Sequence, residues 1–196
     1  MGPRRLQCPP NGRTYGRRSL KGVARRVRDL DRAAFRTVFG VKWTPLTAVL
    51  RFFTVVGTAG FLWGAFAFLA FLATGLDLAS LLIPWAAVAG SWTVAEGTKY
   101  IFDRARPFIW DTEVAPLIKT PSSSSFPSGH SATAASGALA LSAIYPSFTP
   151  LLVPAGLLVI LSRVYLGVHF PFDVLAGAAI GLATSGAVFA GAALLA

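Results

Sequence analysis

The sequence predicts an all-α fold: a polytopic transmembrane helix bundle of about five spans, preceded by an N-terminal amphipathic helix. Three observations lead there. Long uncharged apolar runs recur along the chain. Hydrophobic residues fill 54% of its 196 positions and charged residues only 13%, giving a mean hydropathy of +0.61. Thirteen of the eighteen Lys and Arg residues fall within 1–51, opposed there by Asp29 and Asp31 alone. A soluble domain of this length must clothe its core in polar surface, and so few charges cannot do that.

Residues 1–28, rich in Arg, Gly and Pro without apolar periodicity, read as a loose basic tail ahead of a membrane-embedded domain over 29–196. From 29 to 53, Leu30, Phe35, Val38, Phe39, Trp43, Leu46 and Leu50 interleave with Arg32, Arg36, Lys42 and Arg51. That pattern predicts an amphipathic helix at the interface, broken near Gly40 and restarted at Pro45, with a plain juxtamembrane linker as the alternative. The 23 uncharged residues 52–74 meet the roughly 20 needed to cross a hydrocarbon core. After a short turn holding Asp77, 81–100 forms the second expected span, with Glu96 and Lys99 at its far end. The Pro- and Ser-rich stretch 101–129 is the longest connection and a natural functional loop. Segments 130–145, 151–168 and 174–196 complete the five, separated by a tight turn at 146–150 and a break at Pro171.

Five spans put the connections 101–129 and 164–172 on one side, together with the basic head. The positive-inside rule then places that side in the cytoplasm of a cell (inner) membrane protein. A basic head beside apolar spans fits anionic lipid better than nucleic acid, so no nucleic-acid partner is expected. Cys8, the single cysteine, excludes an intramolecular disulfide and a cysteine-based metal site. No short apolar region with a cleavage site follows the basic head, so the N-terminus does not read as a signal peptide. Gly177, Ala178 and Gly181 give a small-residue face that could pack within or between chains, leaving the oligomeric state open.

Polar residues gather in three clusters. Lys99 and Arg106, with Arg104 nearby, stand where the second span leaves the membrane. They read either as snorkelling charges or as an anion clamp, Arg offering a planar fork and Lys a point charge. Pro127, Ser128, Gly129 and His130 open the third apolar helix. Ser128 can cap it, its first N–H groups can bind an anion, and Gly129 lets an oxyanion approach; an ordinary cap with a solvated His is the alternative. His169 and Asp173, four apart at the start of the last span, share a helical face, with Arg163 just upstream. An Asp one turn from a His can take its ring N–H and raise its nucleophilicity, or the two can form a buried structural pair. The serines at 122–125 read as flexible loop without a role. Two His and one Asp could also ligate a metal, but three nearby cations suit a phosphate better, so neither metal nor cofactor is expected.

These clusters resemble the three signature motifs of the type 2 phosphatidic acid phosphatase superfamily. Lys99, Arg106 and Pro107 match the first motif, Pro127 to His130 the second, and Ser162, Arg163, His169 and Asp173 the third, at every defining position and spacing. The likeness is strong over about 95–196, extends to 52–96 by general architecture, and leaves the Arg-rich head outside. It implies a metal-independent membrane lipid phosphatase working through a phosphohistidine. His169 would attack phosphorus, Asp173 would orient and charge it, and His130 would protonate the leaving oxygen and then activate water. Lys99, Arg106, Arg163, Ser128 and the Gly129 amide would hold the phosphoryl oxygens. The implied substrate is a polyprenyl-phosphoryl sugar phosphate or a phosphatidic acid-type lipid. A polyprenyl (undecaprenyl or decaprenyl) diphosphate is the alternative, and a silent transporter or scaffold of the same fold is another. The related vanadium haloperoxidases are soluble, which the apolar spans here disfavour.

Overall fold

A computed structural model describes residues 15–41, 43–75 and 78–195. Helix α1 (Tyr15–Phe39) starts within the stretch expected to be a tail, and residues 1–14 lie outside the described residues. It ends beside Gly40, and α2 (Thr44–Val56) restarts with Pro45 in its first turn, where the missing N–H costs nothing. A short 3₁₀ turn (Thr58–Gly60) leads to α3 (Phe61–Thr74). Then come α4 (Leu78–Lys99), the single turn α5 (Pro107–Trp110), α6 (Gly129–Ile144), α7 (Thr149–Tyr165) and α8 (Pro171–Leu195).

Helix α6 is the axis of the bundle, walled by α4, α7 and α8. Its sequence, GHSATAASGALALSAI, is dominated by small residues, and most of them are buried. Small side chains let helix backbones approach closely, which replaces the missing hydrophobic drive between helices in lipid. The approach is tightest at α8: a Cβ on Gly177 or Gly181 would run into the carbonyls of Ser128 and Ala132. Hydroxyls of Ser136 and Ser185, 2.8 Å apart, pair across the same seam. The small-residue face is therefore used, at Gly177 and Gly181, within the chain. On the opposite side of α6, Trp63 of α3 is buried against Gly137.

The expectation of five spans is corrected. Among the described residues, three helices are long and apolar enough to cross a bilayer: Leu78–Lys99, the continuous Pro146–Tyr165, and Pro171–Leu195. A fourth crossing exists only if α2 and α3, bent by 69°, act as one. The uncharged run 52–74 is not a single helix, because Gly60 takes φ +80° and breaks it. Helix α6 has 16 residues, about 24 Å at 1.5 Å per residue, short of a roughly 30 Å hydrocarbon core. Its polar groups are sheltered by neighbouring helices, so it need not meet the length rule for a lipid-facing span.

Direct contacts show which residues share one end of the bundle. Helix α1 lies against α7 and α8 at the end where Lys99, His130 and Asp173 are found. Buried Phe35 stacks on Phe39 and meets Phe170 edge-on, with ring centroids 5.3 and 5.4 Å apart. Arg32 and Arg36 lie over the Trp110 ring, and Arg36 also pairs with Asp111 at 3.1 Å. Helix α2 is held to α7 by the Tyr165 hydroxyl, 2.8 Å from Thr47 Oγ1.

Candidate active site

The end of α4, the start of α6, the end of α7 and the start of α8 converge on a cavity of about 210 Å³. Its walls include Lys99, Arg106, Gly129, His130, Arg163 and His169, so six residues from all three sequence clusters face one space. Two predicted residues stand behind it. Ser128 is fully buried and its Oγ caps α6, accepting from Ser131 N at 3.3 Å. Asp173, also fully buried, supports the cavity wall without lining it.

His169 is placed by the main chain. Its Nδ1 lies 2.7 Å from the carbonyl of Ser125, which can only accept, so Nδ1 carries the proton. Nε2 is left with its lone pair on the cavity side, 3.2 Å from Arg106 Nη1. The Asp173 carboxylate, expected to take the ring N–H, is farther away at 3.6 Å. It instead accepts from Ser125 Oγ at 2.5 Å, Phe170 N at 2.8 Å and Arg104 Nη1 at 2.6 Å. Asp173 thus fixes the two segments that hold His169. Burial, then the charges of Arg163, Arg106 and Lys99, push the His169 pKa well below its usual value, against a smaller opposing effect of the Ser125 carbonyl. The ring is neutral at working pH, as a nucleophile requires.

The cations are held with equal definition. Arg106, 2% exposed, donates to the carbonyls of Ser123 (2.8 Å), Ser124 (3.1 Å) and Val168 (2.9 Å). Burial lowers its pKa, with Asp173 and Glu96 opposing, and a guanidinium stays charged regardless. Arg163 is buried and donates to Thr54 Oγ1, while its Nε has no hydrogen-bond partner. Lys99 pairs with Glu96 at 2.6 Å and reaches Ser123 Oγ at 3.4 Å. His130 Nε2 is 3.5 Å from Thr58 Oγ1, at the bend between α2 and α3. Three cations and one carboxylate among the wall residues leave a net charge of about +2. That matches a phosphoryl group of about −1.5 to −2. Among the described residues, no group of three or more His, Cys, Asp or Glu is placed to hold a metal ion.

Several contributors escaped the sequence reading. Ser123, Ser124 and Ser125 were expected to be idle loop, yet they carry Arg106 and His169. Arg104 bridges Asp173 and Asp31, and fully buried Asp31 of α1 also accepts from Phe172 N at 2.9 Å. Glu96, noted only as the polar end of a span, sits over Gly129, where a Cβ would approach its Oε1 to 2.8 Å.

A helix bundle of this kind, with a cationic cavity and a buried neutral histidine at one end, defines a phosphate-handling membrane protein. The sequence model of the PAP2 superfamily matches residues 80–193, and the chain belongs to that family, in its membrane lipid phosphatase branch. The transmembrane PAP2-type phosphatidylglycerolphosphate phosphatase from Bacillus subtilis is similar in structure. The TM-score is 0.70 at 28% identity, over 87% of this chain and 88% of that one. LpxE from Aquifex aeolicus gives 0.70 at 26% identity, over 79% and 92%. A bacterial vanadium-dependent iodoperoxidase (0.66, 21% identity, 82% and 48%) shares the fold. In sequence, an undecaprenyl-diphosphatase of Sulfolobus acidocaldarius is 37% identical over 89 residues. Those residues are 45% of this chain and 43% of that relative, so the chain spans less than half of its length.

Proposed function

We propose that this protein is a metal-independent phosphatase that removes the terminal phosphate of a membrane lipid, with a polyprenyl diphosphate as the favoured substrate. The observation that carries the reading is the neutral His169, whose unprotonated Nε2, beside Arg106 Nη1, belongs to a cavity bearing Lys99, Arg106 and Arg163. The cavity is smaller than the roughly 300 Å³ of a typical small-molecule site, so it suits a headgroup whose tail stays in the bilayer.

In the first step the Nε2 lone pair forms a bond to phosphorus while the bond to the leaving oxygen breaks. Burial, then the charges of Arg163, His169, Lys99 and Arg106, lower the His130 pKa to about 2 in the free protein. His130 therefore takes up a proton as the phosphate anion binds and offsets those charges, and then gives it to that oxygen. Lys99, Arg106 and Arg163 hold the equatorial oxygens, and the α6 N-terminus at Gly129 adds unpaired N–H groups. In the second step water attacks phosphorus, His130 takes its proton and the N–P bond breaks, releasing inorganic phosphate. Ser128 acts as the helix cap and Asp173 as the anchor of the His169 segment.

Of the substrates expected from sequence, the diphosphate is supported by the name of the Sulfolobus relative. Phosphate release by detergent-solubilised protein from a panel of polyprenyl diphosphate, phosphatidylglycerophosphate and phosphatidic acid tests the reading. His169→Ala should lower release at least about 1,000-fold. Unchanged release in that variant refutes the mechanism, and no release by the native protein favours a silent scaffold. We also place the active face in the cytoplasm, because the basic helix α1 packs at that end. Labelling of Thr112→Cys, in a Cys8→Ser background, by an impermeant thiol reagent in intact cells would reverse that placement.

A further inference from the structure

A second cleft of about 810 Å³ adjoins the phosphate cavity and shares Thr58, Pro121, His130 and Arg163 with it. It runs between α2 and the 117–122 segment. Two further cations, Arg51 and Lys119, line this cleft and not the first cavity. Neither has a hydrogen bond or ion pair among the described residues, whereas Arg36, Lys99 and Arg104 all face carboxylates. The Arg51 and Lys119 side chains are both exposed on this cleft and free to turn toward an anionic group within it. Buried Arg163 stands in the wall between the two spaces with its Nε unsatisfied.

The direction of the reaction decides which anion belongs there. His169 lines the first cavity alone, while His130 lines both. In-line displacement puts the leaving oxygen opposite the nucleophile, beside the acid that protonates it. A leaving group that departs past His130 therefore enters the cleft. Beyond the two cations, Val55, Leu117 and Ile118 give that cleft an apolar wall suited to the first part of a lipid tail.

We propose that Arg51 and Lys119 form a second anion subsite, which binds a phosphate carried by the leaving group and so selects lipids bearing two phosphates in series. This deepens the function proposed above and rests on its phosphatase reading. Attack at the terminal phosphorus of a lipid diphosphate breaks the bond to the bridging oxygen. The lipid monophosphate then departs as an anion held by Arg51 and Lys119, with its bridging oxygen protonated by His130. A phosphatidic acid-type lipid would send an uncharged diacylglycerol into the same cleft and leave both cations unpaired.

Farnesyl diphosphate and farnesyl monophosphate isolate the effect, since they share one tail and differ by one phosphate. The double variant Arg51→Ala/Lys119→Ala should lower the diphosphate-to-monophosphate ratio of kcat/KM by about 10- to 100-fold, mainly through KM. Arg51→Glu should do the same alone. Binding supplies a readout independent of turnover: the native protein should prefer inorganic pyrophosphate over inorganic phosphate, and the double variant should lose that preference. A ratio and a preference that survive the double substitution overturn the subsite while leaving the phosphatase reading intact. Absence of phosphate release from either farnesyl ester by the native protein overturns the phosphatase reading itself.

Discussion

Asp173→Asn separates two ways in which this carboxylate can serve His169. The Ser125 carbonyl, 2.7 Å from Nδ1, holds the tautomer, while Asp173 stands 3.6 Å away. Its direct contribution is then the field it exerts when phosphorylation of Nε2 makes the ring cationic. Two unit charges at the 3.6 Å separation of Nδ1 and Oδ2 gain roughly 4–5 kcal/mol at an effective dielectric of about 20. Arg104, with Nη1 2.6 Å from Oδ1, cancels part of that field. If half remains, the variant loses about 2–3 kcal/mol, or roughly 30- to 200-fold in phosphoenzyme formation. Where an Asp fixes the tautomer itself, the corresponding loss is about 10⁴-fold. Rapid-quench measurement of phosphoenzyme, with ¹⁵N NMR of the ring, gives both readouts. A loss near 10⁴-fold with the proton moved to Nε2 would refute the main-chain account. A loss below threefold would refute the electrostatic one.

The chain has two histidines, so His130→Gln leaves His169 as a single reporter. Because its pKa is lowered in the folded state, the ring should remain neutral well below about pH 6.5, and an NMR midpoint at or above that value contradicts the burial argument. The same shift means that the unfolded chain binds this proton first. The native protein should therefore lose stability as pH falls below about 6.5; because the His130 pKa is lowered too, to about 2, His169→Asn should flatten that dependence of the thermal midpoint in the His130→Gln background. Asp31→Ala removes the acceptor for Arg104 and Phe172 N and should cost about 2–3 kcal/mol, seen as an earlier thermal inactivation together with a slower turnover. Unchanged inactivation and turnover would show that α1 docks without help from this carboxylate.

The chemistry was legible because polar residues are scarce in this chain. In a body that is nearly neutral and apolar, Lys99, Arg106, His130, Arg163, His169 and Asp173 had few innocent explanations, and all except Asp173 line the cavity. What supports them left little trace. The partner of His169 is a backbone carbonyl 44 residues away, and any residue at 125 would carry one. Asp31 reaches Phe172 across 141 positions, beyond any helical period. The helical boundary near Gly40 and Pro45 was readable from local signals. The number of spans was not. Hydropathy treats the Ala-, Ser- and Gly-rich α6 as a lipid-facing run, although those small residues fit an interior helix, and it passes over the bend that Gly60 makes in 52–74.

The seam between α6 and α8 divides the molecule into a frame and a door. At Gly177 and Gly181 main chain rests on main chain, leaving no side chain to yield. The His130 end of α6 and the Asp173 end of α8 are therefore parts of one rigid piece. A headgroup that needs more room must gain it on the other side, where Thr58 meets His130 through one long contact and the chain bends between α2 and α3. Substitutions at that bend should alter how fast lipid comes and goes, while the frame keeps the reacting groups aligned.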